Sequence, residues 1–517
     1  MSRARLTPEL IESRLSLIVT SEDPRRTTGL SPIDVEPMFA VPHSDDAAVE
    51  RAFATARAAQ PAWAALPVRE RARVIRRFHD LVLDHRDLLC DAVQWENGKS
   101  RDNANDEVLD IALTARYYSH IGPRTLAPQR RRGAFPIVTK VRQHHHPHGV
   151  VGVISPWNYP LTLGVSDSIP ALLAGNAIVW KPDLQTTLSA LLPLQLMYEA
   201  GVPRDVIQLV AGEGPEVGPM VTNRADFVMF TGSTRVGREV AAAAARRLVP
   251  CSLELGGKNS CIVMPGADLG KAVEIAVRGA FANAGQLCIG TERVVVHESL
   301  AAEFTSSFVQ RVEALRVGAR IGFGTDMGPL ISQNQLNRVE EQVADAVSKG
   351  ARVLTGGKRL PEFGPNCYAP TVLADVTPEM TICRNETFGP VCSIYTWRTE
   401  AELLALVNDT GLGLSAAIVS RSNREARALA AKLRAGGVSI NDPFSAAYAS
   451  VDSPMGGMGD SGLGRRHGVE GLLKYTEPQT IASQHLIKLG PQLGLSDEQW
   501  SSLSVKAMRV LKALRVK

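Results

Sequence analysis

Cys288 ends the segment FANAGQLC (281–288), where small and polar residues replace a continuous apolar stripe and leave room for a ligand beside the thiol. A thiolate there would be a nucleophile. The competing reading is an inert cysteine, since free cysteines usually pack as small hydrophobes. Glu254 stands between Leu253 and Leu255, just ahead of Gly256 and Gly257, so a carboxylate leaves an apolar strand where the backbone can turn sharply. Burial would raise its pKa toward that of a general base, whereas a salt bridge to an Arg or Lys would make it structural. Asn158 lies in SPWNYP (155–160), stiffened by two prolines at the end of a glycine-punctuated run. Held this way, an amide can donate to a developing oxyanion, a contribution of roughly 3–4 kcal/mol; a plain turn asparagine is the alternative.

Phosphate chemistry is written less conventionally, because no G-x-G-x-x-G opens a helix after the first strand. The run DFVMFTGSTRVG (226–237) places Gly232 and Ser233 between a strand and an alanine-rich helix whose first amides can face a pyrophosphate. Ser233 can equally serve as that helix's cap. Upstream, AIVWKPDL (177–184) ends a strand with Lys181, followed by Pro182, Asp183 and Leu184. Lys181 suits ribose or phosphate contact if it faces the same cleft. Four histidines in QHHHPH (143–148) lack an accompanying carboxylate or helical spacing, so no metal site is expected.

These residues need a scaffold, and the periodicity supplies one. Amphipathic helical stretches at 47–60 and 68–91 alternate with short apolar runs at 150–154, 177–180, 206–210 and 227–230. Such alternation marks βαβ units around a buried parallel sheet, an α/β protein. A second series at 260–263, 293–296, 351–354, 416–419 and 437–440 implies another α/β half beyond Gly256. After the break GPQLG (490–494), Ser496 is placed to cap a terminal helix with Trp500, Leu503, Ala507, Leu511 and Leu514 on one face.

At ~100–200 residues per domain, 517 residues allow two to four domains. The 57 Lys+Arg against 53 Asp+Glu leave +4, too balanced for a nucleic-acid footprint. Seven scattered cysteines with no C-x-x-C pair suit a reducing, cytoplasmic setting rather than a disulfide framework. Glu9, Glu12 and Arg14 interrupt what would have to be the apolar core of a signal peptide, and Pro156, Asn158 and Pro160 break the longest uncharged stretch. Neither export nor a membrane partner is expected.

Taken together and in order, Pro156-Trp157-Asn158, Lys181-Pro182, the FTGS motif ending at Ser233, the ELGGK motif from Glu254 to Lys258, the GQLC motif ending at Cys288, the ETFGP motif from Glu386 to Pro390 and PMGGMGDSG (454–462) closely resemble the aldehyde dehydrogenase superfamily over about residues 35–485. Within it the chain looks most like the actinobacterial NADP-dependent succinate-semialdehyde dehydrogenases. The resemblance implies an aldehyde dehydrogenase-like fold. Its parts would be an N-terminal extension (1–34), a Rossmann-type cofactor-binding domain (35–123 and 148–255), an α/β catalytic domain (256–440), a β-strand oligomerisation arm (124–147 and 470–485) and a C-terminal helical extension (490–517). It also implies oxidation of an aldehyde through a Cys288 thiohemiacetal and thioester, with Asn158 at the oxyanion and Glu254 activating water. Glu386 would grip the nicotinamide ribose, Phe388 border the ring, and Trp157, Lys181, Gly232, Ser233 and Leu255 line the rest of the cleft. Leu184 occupies the place where NAD-preferring members often carry a glutamate, so NADP is the expected cofactor, with NAD accepted less well. Asp183 is the nearby acid that could oppose it. The arginines that clamp a substrate carboxylate in several succinate-semialdehyde dehydrogenases are replaced by Ser166 and Ala282, while Tyr159, Leu287, Ile289, Phe444 and Tyr448 would make an apolar funnel. Aliphatic or aromatic aldehydes are therefore the alternative substrates, a non-catalytic structural role is a remoter one, and a homodimer or homotetramer is the expected assembly.

Overall fold

The structure is a computed structural model that describes residues 5–133, 139–484, 490–492 and 494–515. Two sheets organise the first compact unit, residues 1–125 and 147–476. The first has six strands in the order Gly462–Leu463, Cys251–Glu254, Phe227–Thr231, Val150–Ile154, Ala177–Lys181 and Ile207–Leu209. All neighbours run parallel except Gly462–Leu463, which returns antiparallel against Glu254 and Leu253. Three of its strands, VVGVI, AIVWK and FVMFT, are buried along their whole length. That is why they read as unbroken apolar runs instead of alternating ones.

Strand order reverses between Val150–Ile154 and Phe227–Thr231, so a crevice opens beyond their carboxyl ends. The residues that emerge there are Pro156, Trp157 and Asn158 from one strand and Gly232 and Ser233 from the other. The second sheet begins at Asn259, just past the Glu254 turn. Its seven strands lie in the order Arg352–Thr355, Thr371–Ala374, Val391–Trp397, Thr291–His297, Asn259–Val263, Ser415–Val419 and Gly437–Ile440. Only the Arg352–Thr355 edge is antiparallel.

Several boundaries differ from the sequence expectation. The helical stretch 68–91 is two helices, Val68–Asp84 and Arg86–Asn97, broken at His85 with φ −101° and ψ 14°. Part of the segment expected as an N-terminal extension joins the body: Ile18 bridges Leu209, and Arg26–Leu30 pairs with Pro37–Pro42. The first sheet also recovers a strand from far beyond residue 440, so chain order and sheet membership part company there.

The second unit comprises residues 126–146 and 477–517. Its three strands lie in the order Thr476–Gln484, Thr139–Pro147 and Gln129–Arg132. Residues 470–475, expected in this arm, instead end the helix Gly468–Leu473 and its exit within the first unit. Residues 134–138 and 485 of the expected arm lie outside the described residues. Ser496 caps the helix Asp497–Ala513 through a reciprocal box with Gln499. No described helix is long and apolar enough to cross a membrane.

Candidate active site

The cysteine loop is held by backbone geometry that few residues tolerate. Past the helix Leu269–Phe281, Asn283, Ala284 and Gly285 have φ of 51°, 54° and 71° in succession. At Gly285 a Cβ would come within 1.9 Å of the Gly389 carbonyl oxygen. The small residues of this segment thus serve chain-on-chain packing, whereas the sequence suggested room for a ligand. Side chains complete the brace. Asn283 Nδ2 donates to the carbonyls of Asn158 (3.0 Å) and Gln286 (3.1 Å), and Gln286 Oε1 accepts from the Ile331 amide. Asn259 Nδ2 donates to the Cys288 carbonyl at 2.7 Å. The half-buried Cys288 is left between two cavities and lines both.

One cavity, of about 200 Å³, lies at the crevice of the first sheet. Trp157, Asn158, Gly232, Ser233, Leu255, Glu386 and Phe388 all line it, together with Glu254 and Cys288. Asn158 is buried, and its Nδ2 donates to the Gln286 carbonyl at 3.1 Å, which uses one of its two N–H groups. Glu254 is 4% exposed and its Oε1 has no partner among the described residues. Burial pushes its carboxyl up to about 7, against the pull of Arg466 and Lys474. Burial, aided by the Glu386 and Glu254 carboxylates, pushes the Cys288 thiol up to about 12, so the resting sulfur is protonated. Glu386 is drawn tight to the backbone: Gly257 N donates to its Oε1 at 3.0 Å, and a Cβ on Gly256 would stand 2.5 Å from its Oε2. Burial and the neighbouring Glu292 raise Glu386 to about 7. Phe388, at φ 54°, meets Trp157 edge to face at 5.5 Å.

Lys181, Pro182, Asp183 and Leu184 do not line this cavity. Lys181 ends its strand buried, with Nζ donating, among the described residues, to the Pro182 carbonyl alone at 3.1 Å. Burial holds its pKa below the ordinary lysine value. Asp183 accepts from the Gln185 amide at 3.0 Å and caps the short 3-10 turn Leu184–Thr186. Ser233 caps the helix Thr234–Arg246, accepting from Val236 N.

The second cavity, of about 240 Å³, runs from Cys288 in the opposite direction. Tyr159, Leu287, Ile289, Phe444 and Tyr448 all face it, as do Asp106 and Asp110 from the helix Arg101–Thr125 and Arg278 from the helix Leu269–Phe281. Ser166 donates to Asp110 Oδ2 at 2.9 Å, and Ala282 is buried.

Several supporting residues have no local sequence signal. Lys99 and Glu107, both buried, pair at 2.6 Å; Lys99 also donates to the Asn158 carbonyl, and Glu107 accepts from the amides of Leu161 and Thr162. They anchor the helix Pro160–Ala174 that follows Asn158. Gln335 and Arg338 wall the first cavity from a distant helix, Gln333–Ser348. A buried Asp167–Arg466 pair stands behind Glu254. Among the described residues no His, Cys, Asp and Glu group could hold a metal ion.

The aldehyde dehydrogenase family model matches residues 18–481. The chain belongs to the aldehyde dehydrogenase family. Among curated relatives, a Mycolicibacterium smegmatis protein named "Putative succinate-semialdehyde dehydrogenase (NADP+)" is 49% identical over 466 residues, 90% of either chain. A Mycobacterium tuberculosis protein with the same name, numbered 2, is 47% identical over 479 residues, 93% of this chain and 92% of its own. Among solved aldehyde dehydrogenases, Staphylococcus aureus betaine aldehyde dehydrogenase in complex with NAD+ aligns with a TM-score of 0.86 at 32% identity, covering 92% of this chain and 94% of that one. An Escherichia coli NADP-dependent enzyme aligns equally well, at 33% identity over 90% and 97%. Its fold, a mixed α/β arrangement with a Rossmann-like parallel sheet, is thus that of an aldehyde dehydrogenase.

Proposed function

We infer that this aldehyde dehydrogenase oxidises succinate semialdehyde to succinate with NADP, using Cys288 as nucleophile, Asn158 as oxyanion donor and Glu254 as base. The observation that carries the catalytic part is the position of Cys288 at the junction of two cavities, with the buried Glu254 on one side, whose Oε1 has no partner among the described residues. A nicotinamide dinucleotide fits the first cavity on three counts. Strand-end backbone opens it, Glu386 is pinned to a glycine amide, and Trp157 and Phe388 give it an aromatic wall. Glu386, Phe388, Trp157, Gly232, Ser233 and Leu255 would hold that group, with Lys181, Pro182, Asp183 and Leu184 beside the adenosine end. When bound, the oxidised nicotinamide would supply the acceptor for the hydride.

The protein's own groups do the remainder. Sγ releases its proton to solvent water and bonds the aldehyde carbon, and the resulting alkoxide takes N–H bonds from the second Asn158 amide hydrogen and the Cys288 backbone. Once the carbon has reached the thioester level, Glu254 in its carboxylate form removes a proton from water, whose oxygen attacks the acyl carbon. The C–S bond then breaks, releasing the acid and restoring the thiol.

NADP is favoured over NAD because Leu184 offers no carboxylate to repel a 2′-phosphate and Asp183 is engaged with Gln185. Succinate semialdehyde is favoured by the names of the mycobacterial relatives. A second reading, apolar aliphatic or aromatic aldehydes, has the Leu287, Ile289 and Phe444 lining in its support. Assembly as a homodimer or homotetramer through the strand arm, in the cytoplasm, completes the proposal. A panel of succinic semialdehyde, hexanal and benzaldehyde, followed by the absorbance of the reduced cofactor with NADP and NAD, tests it. The highest kcat/KM should fall on succinic semialdehyde with NADP, and Cys288→Ala should be inert. Strong preference for NAD, or for hexanal, would overturn the corresponding part.

A further inference from the structure

An aldehyde with a carboxylate at its far end needs a cation in the second cavity, and Ser166 and Ala282, the positions at which the family resemblance pointed to arginine, supply none. The acidic lining residues are Asp106, Glu107 and Asp110. Glu107 is neutralised by Lys99 at 2.6 Å. Asp110 accepts from Ser166 at 2.9 Å, and burial pushes its carboxyl up to about 6. The lining contains one cation, Arg278, in the last turn of the helix Leu269–Phe281. Its side chain is about half exposed.

Arg278 is weakly engaged. Its nearest acid, Asp106, lies at 3.8 Å, beyond direct hydrogen-bond distance, and among the described residues its guanidinium donates no hydrogen bond. A planar fork with its N–H donors unfilled thus lines the same largely apolar cavity as Cys288. Carboxylates are the ligands such a fork receives in bidentate fashion. The neighbouring Asp106, 3.8 Å away, competes for the guanidinium without filling its donors.

We propose that Arg278 binds the far-end carboxylate of an ω-carboxylate aldehyde, so that the substrate's charge is read from the helix ahead of the cysteine loop and not from positions 166 and 282. This rests on the succinate-semialdehyde reading above. Such a residue acts on binding: it holds the carboxylate through both the ground and transition states, so its removal raises KM more than it lowers kcat.

The test compares succinic semialdehyde with butanal, the same four-carbon chain without the acid group, for the wild type and for Arg278→Met, Arg278→Lys and Asp106→Asn. Arg278→Met should lose about ten- to hundredfold in kcat/KM on succinic semialdehyde, mostly through KM, the scale of charge-assisted hydrogen bonds. Butanal should change by no more than about twofold. Arg278→Lys should recover part of the loss, and Asp106→Asn should lower KM for succinic semialdehyde alone. Added salt should raise KM for the acid and not for butanal. An Arg278→Met variant that still prefers succinic semialdehyde as the wild type does would overturn this inference while leaving the substrate reading intact. Equal losses on both aldehydes would make Arg278 structural and also overturn it. A wild type that handles butanal as well as succinic semialdehyde would overturn both.

Discussion

The two cavities that meet at Cys288 are built on different principles. On the side of the first sheet, most of the wall is strand ends and glycine turns, joined by Gln335 and Arg338 from one helix, and the backbone itself takes a left-handed φ of 54° at Phe388. On the other side, the walls are side chains projecting from the helices Arg101–Thr125, Pro160–Ala174 and Leu269–Phe281 and the turn Ser445–Tyr448. Backbone-built sites demand particular residues at particular places, because only glycine passes where a Cβ would overlap a carbonyl. Side-chain-built sites tolerate exchange of one apolar group for another of similar volume. The first kind therefore suits chemistry held constant and the second suits a substrate that varies.

This contrast can be broken by mutation. Glu254→Gln should lower steady-state turnover about 10²- to 10⁴-fold for every aldehyde, the usual reach of general acid–base catalysis, while leaving the first-turnover burst of reduced cofactor. Stopped-flow absorbance separates the two. The wild type carries the same signature in pH. Because burial pushes Glu254 up to about 7, the carboxylate prevails above that pH and the protonated form below it, so kcat should fall as pH drops through about 7. A flat profile from pH 6 to 8, or an equal loss of burst and turnover in the variant, would remove Glu254 from the hydrolytic step. On the opposite side the effects should be smaller and selective. Phe444→Ala should cost about tenfold in kcat/KM on hexanal, through KM, and leave acetaldehyde within about twofold. A uniform loss across aldehydes would mean that the second cavity shapes the chemistry as well.

The same contrast explains what could be read in advance. The buried parallel strands stood out as apolar runs, and the motif residues of the first cavity, from Trp157 to Phe388, come to one place because glycine and proline mark where the chain must turn. Two strands of the second sheet, Thr371–Ala374 and Val391–Trp397, went unseen; the former is only four residues long and the latter follows the ETFGP loop directly. The break at His85 has neither glycine nor proline to announce it, and apolar spacing continues through it. Lys99 and Glu107 are 59 and 51 residues from Asn158 in sequence and carry no local pattern, so only folding brings them beneath it. Arg278 was equally silent, being one more charge on an amphipathic helix.

All of this depends on a covalent acyl group forming on one sulfur and leaving by way of one carboxylate. Glu254→Gln, mixed with NADP and succinic semialdehyde, quenched after the burst and examined by intact-mass and peptide mass spectrometry, tests that directly. The expected result is a succinyl adduct on Cys288, absent from the Glu254→Gln/Cys288→Ala double variant. A burst of reduced cofactor with no adduct, or with the acyl group on another residue, would contradict it.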